Sequence, residues 1–433
     1  MSKLIRGGRV LDPASGLDEL HDVLIDGSTI SDVGPPGSLE AKSDGSLEII
    51  EAGGLWVVPG LIDLHTHLRE PGEEYKETIL TGSQAAAAGG FTAICCMPNT
   101  KPVNDNSAVT DLILRRAVEA DLVRVFPVGA ISQGQKGEML AEYGELKEAG
   151  VVAVSDDGQA VMNSQLMRRA LEYAQVFDLP VISHAEDRDL AGDGVMNEGV
   201  VSTRLGLREM PSVAEDIMVF RDCSLAALTG GRLHIAHVSS AGAVELVRQF
   251  KANGVQVTAE ATPHHFTLTD EALESFDTNL KVNPPIRSSI DIAAIQQGLA
   301  EGTIDAIATD HAPHSTIEKD VEFDYAAFGM IGLETALPLT LRLVEQGLLS
   351  PLEAVAKLTT NPARIVDIDL GRLAPKLPAD ITLVDPQREL TVDVNQFRSK
   401  SRNSPFHGWH LRGKAVMVLR DGKVIFRDED SAV

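Results

Sequence analysis

Eight short apolar runs, at residues 61–64, 92–97, 123–128, 151–154, 180–183, 233–236, 255–259 and 304–308, constrain this chain more than any other feature. Longer amphipathic stretches separate them, among them 109–118, 164–177, 212–227 and 241–251, the last preceded by Ser239-Ser240 as a cap. Runs of four to six apolar residues suit strands buried on both faces, and the stretches between them suit helices that cover those strands. Eight such alternations predict an α/β fold, a closed (β/α)8 TIM-like barrel. An open doubly wound sheet is the rival, but it usually has fewer strands and needs a switch point.

The two ends read differently. Val10-Leu11-Asp12-Pro13, Val23-Leu24-Ile25-Asp26-Gly27 and Leu47-Glu48-Ile49-Ile50 are short runs bounded by Asp, Gly or Pro, and residues 379–385 and 415–425 have the same texture. That is strand punctuation, and Asp421-Gly422 is a hairpin signal. We expect 1–56 and 366–433 to form one small composite β-sandwich domain, with a barrel of 57–365 inserted between its halves.

A barrel carries its chemistry at the carboxyl ends of its strands. The runs are followed by His65-Thr66-His67, Pro98-Asn99, Asp156-Asp157, His184, His237, Glu260 with His264-His265, and Asp310-His311. Histidines and carboxylates close six of the eight runs, which scattered core histidines would not do. His65 and His67, two apart on a strand, face the same way and can reach one ion. With His184, His237 and Asp310 they make a donor set for zinc or a similar divalent cation in a site with open positions. No Cys-x-x-Cys pair suggests a structural zinc; Cys95, Cys96 and Cys223 read as small buried hydrophobes and favour a reducing cytoplasm. A net charge of −25 argues against nucleic acid and anionic membranes as partners, but not against a small anion held by a local cationic cluster.

At these residues a resemblance enters. Pro59-Gly60-Leu61-Ile62-Asp63-Leu64-His65-Thr66-His67-Leu68-Arg69-Glu70-Pro71-Gly72 resembles the opening motif of the dihydroorotases in the cyclic amidohydrolase superfamily. Met97-Pro98-Asn99-Thr100, Ser183-His184-Ala185-Glu186, Ala236-His237-Val238-Ser239, Lys281-Val282-Asn283-Pro284-Pro285 and Ala308-Thr309-Asp310-His311-Ala312-Pro313-His314 are similar to later family motifs, in the same order. Phe328-Gly329 and Asn361-Pro362-Ala363-Arg364 match further downstream, so the likeness covers essentially the whole chain. Many members of the superfamily bridge two metals with a carboxylated lysine at the end of the fourth strand. Here that strand ends in Ser155-Asp156-Asp157-Gly158, and Lys147 precedes it. The pattern is similar to the bacterial branch in which an aspartate replaces the lysine. The motif implies Asp157 as the ligand; strand alternation alone leaves Asp156 open.

The resemblance implies reversible, metal-dependent cyclisation of N-carbamoyl-L-aspartate to L-dihydroorotate in de novo pyrimidine (UMP) biosynthesis. It implies one or two zinc ions per subunit on His65, His67, Asp157, His184, His237 and Asp310, with Asp310 also the general acid–base group. Arg69 can offer a fork of N–H donors to a carboxylate. The resemblance adds His67, Leu68, Asn99, Asn283, His314 and the backbone of Phe328 and Gly329 as substrate contacts. His264, His265 and His311 are expected to support or pack, and His407 and His410 have no assigned role. A homo-oligomer or a partnership with aspartate carbamoyltransferase is compatible with the resemblance. The alternatives are an allantoinase or hydantoinase, against which the missing strand-end lysine weighs, and a silent scaffold, against which the filled ligand positions weigh.

Overall fold

The computed structural model describes residues 2–39 and 47–431. In chain order, β1 (Ser2–Asp12), β2 (Leu17–Asp26), β3 (Thr29–Gly34), β4 (Leu47–Glu51) and β5 (Trp56–Pro59) come first. The barrel strands β6 (Leu61–Thr66), β7 (Phe91–Cys96), β8 (Arg124–Gly129), β9 (Ala153–Ser155) and β10 (Val181–Ser183) follow. A small parallel pair, β11 (Met196–Asn197) and β12 (Glu209–Met210), interrupts them before β13 (Leu233–Ile235), β14 (Val257–Ala261) and β15 (Ala306–Ile307). The chain ends in β16 (Ile381–Thr391), β17 (His410–Arg420) and β18 (Lys423–Arg427).

Strands of both chain ends share one mixed sheet in the order β18-β17-β16-β5-β1-β2-β3, with β4 on β1. Its core includes Ile5, Val23, Ile25, Val57, Ile381, Leu383 and Met417. Asp421 and Gly422, at φ +51° and +70°, make the two-residue turn between β17 and β18, where both positions need the left-handed region. The β16–β17 connection is unlike a hairpin turn. Its 18 residues, 392–409, leave the sheet and reach the mouth of the barrel.

The second large sheet is all parallel, in the sequential order β15-β14-β13-β10-β9-β8-β7-β6. Its strands fall within a few residues of the eight apolar runs. The helices between them start on side-chain caps: Asn106 accepts from Val109 N before Ser107–Ala120, and Ser240 accepts from Ala243 N before Ala241–Ala252. Alternation sorts neighbours to opposite faces: Cys95 packs inside the barrel with Leu64 and Ile182, while Cys96 packs outside under the helices. All three cysteines are buried and free.

The eighth strand is shorter than its apolar run because a side chain replaces part of the ladder. Asp63 Oδ1 accepts from His65 N at 3.1 Å and Thr309 N at 3.0 Å, and Asp63 Oδ2 from Thr309 Oγ1 at 2.5 Å. A bridge between Thr66 and His311, with His67 N donating to His311 O at 2.9 Å, then closes the barrel. Among the described residues no helix is long and apolar enough to cross a membrane.

Candidate active site

The carboxyl ends of the barrel strands deliver His65 within the last residues of β6 and His67 just after it, Asp157 after β9, His184 after β10, His237 after β13 and Asp310 after β15. At three positions the backbone turns through the left-handed region: Arg69 at φ +61°, His237 at +32° and Asp310 at +47°. Residues with a Cβ resist that conformation, and its clustering at one mouth marks a place where side-chain direction outweighs backbone strain.

The imidazoles surround one carboxylate. Asp157 Oδ1 lies 3.3 Å from His65 Nε2, 3.5 Å from His184 Nδ1 and 3.4 Å from His237 Nε2, while Oδ2 lies 3.4 Å from His67 Nε2. Asp310 Oδ1 is 3.0 Å from His67 Nε2 and 3.6 Å from His65 Nε2, and His184 Nδ1 is 2.9 Å from His237 Nε2. Most of these separations are too long for hydrogen bonds. They match the edge of a tetrahedron with arms of about 2.0–2.1 Å, which is about 3.3 Å. His65 Nε2 and Asp157 Oδ1 are buried without a hydrogen-bond partner, a cost that a shared cation removes. Two triads, His65–Asp157–His237 and His65–His67–Asp310, each bring three ligand atoms within 4.8 Å of one another. The donor set fits a divalent ion. Burial opposes charge on Asp157 and Asp310, yet the surrounding imidazoles hold both carboxyls below their ordinary range.

Asp156 points elsewhere: it accepts from Ser132 N at 3.0 Å and bonds the Ser132 hydroxyl, and burial pushes its pKa up to about 6. His265 is held by Thr262 Oγ1 and Pro284 O, and His311 by Gly332 N, with Glu77 at 3.4 Å. His264 differs. Its Nε2 is buried without a partner, and burial brings its pKa down to about 4, so a neutral imidazole stands beside the cluster.

Two residues whose part the sequence did not disclose support His65. Glu260 on β14, fully buried, accepts from His65 Nδ1 at 2.9 Å and from His234 Nε2 at 3.0 Å. His234 in turn bonds Thr258 Oγ1 through Nδ1 at 2.8 Å. A carboxylate on the far nitrogen fixes the tautomer and leaves Nε2 with its lone pair toward the cluster.

On the open side, Arg69 is buried, donates from Nε to Pro313 O at 3.2 Å, and lies 3.3 Å from His314 Nε2 through Nη2. Burial, then the neighbouring Arg69 and lysine charges, brings the His314 pKa down to about 2, so this imidazole is neutral. Asn99 Oδ1 accepts from His67 Nδ1 at 2.9 Å. Asn283 Oδ1 is buried and unpartnered, and Phe328 and Gly329 stand on the loop that faces His314 across Ala312. Leu68 is the exception: its side chain turns into the core against Gly82, leaving only its backbone near the mouth.

The family description "Dihydro-orotase-like" matches residues 54–243. The chain is 59% identical to a dihydroorotase of Syntrophobacter fumaroxidans over 98% of this chain and 96% of that one. It is 55% identical to a dihydroorotase of Geobacter metallireducens, over 99% and 100% of the two chains. In fold it is similar to the L-hydantoinase of Arthrobacter aurescens, with a TM-score of 0.88 at 24% identity over 100% of this chain and 97% of that one. The dihydropyrimidinase of Brevibacillus agri gives 0.85 at 24% identity, over 100% and 96%. With a barrel whose strand ends converge on one carboxylate, and near-full-length identity above one half to these relatives, the chain belongs to the dihydroorotase family.

Proposed function

We propose that this protein is a dihydroorotase that interconverts N-carbamoyl-L-aspartate and L-dihydroorotate for pyrimidine synthesis. The observation that carries the reading is the ring of buried, mutually spaced donors around Asp157 beside a buried guanidinium. His65, His67, Asp157 and Asp310 on one side, and Asp157, His184 and His237 on the other, would hold one or two zinc ions, with Asp157 shared. A zinc ion held there would supply Lewis acidity toward the scissile ring carbonyl and toward water.

The protein's own groups do the rest. In the hydrolytic direction water adds to the ring carbonyl, the adjacent C–N bond breaks, and the nitrogen leaves as the ureido NH2. Asp310 takes the proton from the attacking water and returns it to that nitrogen; in cyclisation it runs the same path backwards. Arg69 receives the ring carboxylate, and Asn99, Asn283 and neutral His314 add uncharged hydrogen-bonding contacts. Backbone groups of Phe328 and Gly329 line the opposite edge.

A hydantoinase would bind a ring without that carboxylate, which leaves the remaining N–H donors of the buried Arg69 without an anion to grip. The test is metal analysis of the purified protein combined with assays on dihydroorotate, hydantoin and allantoin. Turnover of dihydroorotate alone, lost on chelation and restored by zinc, is expected. Preference for hydantoin, or full turnover by metal-free protein, refutes the reading.

A further inference from the structure

The 392–409 excursion returns to the barrel mouth with a row of buried polar side chains: Ser399, Ser401, Asn403 and Ser404. Ser399 bonds Glu77, Lys400 N donates to Glu77 Oε1 at 3.1 Å, and Ser401 Oγ donates to Lys76 O at 2.8 Å. These anchor the strap to the loop after β6. Asn403 goes further. Its Oδ1 accepts from His314 N at 3.1 Å, and its Nδ2 donates to Ala312 O at 3.0 Å and to Gly329 O at 3.1 Å. Its own carbonyl accepts from Ile331 N at 3.0 Å.

One side chain therefore ties two separate segments together. Gly329 O also accepts from buried Lys319 Nζ at 3.0 Å, and Gly329 N donates to Lys281 O at 2.8 Å, so this peptide is held from both sides. The segments touch closely: at φ +133°, a Cβ on Gly329 would lie 2.7 Å from Ala312 Cβ. Only a carboxamide offers two donors toward two carbonyls and an acceptor toward an amide at this reach. A carboxylate of the same size would point an oxygen at Ala312 O and Gly329 O.

We propose that Asn403 is a positioning residue for substrate: it sets the spacing between His314 and the Gly329 edge and so the fit of the ring and its carboxylate. This rests on the reading of His314 and Gly329 as substrate-facing groups. It gives the carboxyl-terminal part of the chain a share in specificity although it supplies no metal donor.

The test compares Asn403→Asp and Asn403→Ala with the wild type, measuring kcat and KM for dihydroorotate, zinc content and melting temperature. In Asn403→Ala, kcat/KM is expected to fall about tenfold, carried mainly in KM, on loss of the three buried side-chain hydrogen bonds. Asn403→Asp, isosteric but lacking the donors, is expected to fall further, with zinc content at the wild-type level in both. Where one variant does not fold, the other carries the comparison. A wild-type KM in Asn403→Asp overturns the proposal, as does a loss in either variant that follows zinc content or melting temperature. Wild-type protein inert toward dihydroorotate refutes the functional reading itself, and this inference with it.

Discussion

Arg69→Ala separates a substrate contact from a structural cation. A guanidinium has five N–H donors. Nε is committed to Pro313 O and Nη2 reaches His314, which leaves enough donors for a planar carboxylate to be gripped by two. A charge-assisted hydrogen bond contributes about 1.5–3 kcal/mol, so removing a two-pronged grip should cost about 3 kcal/mol or more, roughly a hundredfold in kcat/KM. The substitution introduces no new backbone strain at φ +61°, because arginine and alanine both carry a Cβ. The assay is a cycle: wild type and variant, each on dihydroorotate and on dihydrouracil, the same ring without the carboxylate. Dihydrouracil should be poor for the wild type and little worse for Arg69→Ala. Arg69→Lys should fall between, since a point charge with three donors cannot serve Pro313, His314 and a planar anion together. Equal losses on both substrates would refute the reasoning and make Arg69 a brace for the 313–314 turn.

Asp310→Asn should lower turnover in both directions by about 10²–10⁴ with zinc retained, and recovery by added zinc would reduce Asp310 to a ligand. Asp157→Ala should lose bound metal in elemental analysis while Asp156→Asn, held at Ser132, keeps it; equal contents would move the ligand elsewhere. Glu260→Gln should weaken zinc binding by about 10–100-fold in competition with a chelator, the usual effect of removing a carboxylate behind a ligating histidine, and an unchanged affinity would refute its orienting part. Cyclisation turns a dianion into a monoanion and consumes one proton, so the equilibrium should shift about tenfold per pH unit toward dihydroorotate in acid; a constant ratio between about pH 6 and 9 would mean another reaction.

The barrel, and the convergence of strand-end side chains at its mouth, were legible because two signals coincide in the chain: apolar runs of strand length, and His or Asp at their carboxyl ends. What stayed hidden is what depends on closure. Asp156 and Asp157 are neighbours that strand alternation does not tell apart, and the placement of Ser132 shows that Asp156 is the carboxylate that turns away. Glu260 meets a histidine 195 residues earlier, a pairing that exists only once β6 and β14 share one barrel interior. Asn403 sits in a polar stretch, Ser399–Asn403 among arginine and lysine, that carries no pattern of its own. Its meaning lies in the two loops it meets.

How can a chain with a net charge of −25 bind a dianion? The surplus carboxylates lie mostly on the exterior, where fields decay over about 8 Å at physiological salt. The mouth is organised differently. Glu73 beside Arg69 is bonded to Lys76 and Lys101, and Glu318 is paired to Lys76, so the acidic groups nearest the guanidinium are already answered by other cations. His314 is neutral and supplies hydrogen bonding without adding or subtracting charge. The carboxylates that remain, Asp157 and Asp310, face the imidazoles of His65, His67 and His237. On the proposed reading, preference for an anion is thus a property of a few buried groups within one Debye length, from which the more distant acidic surface is screened.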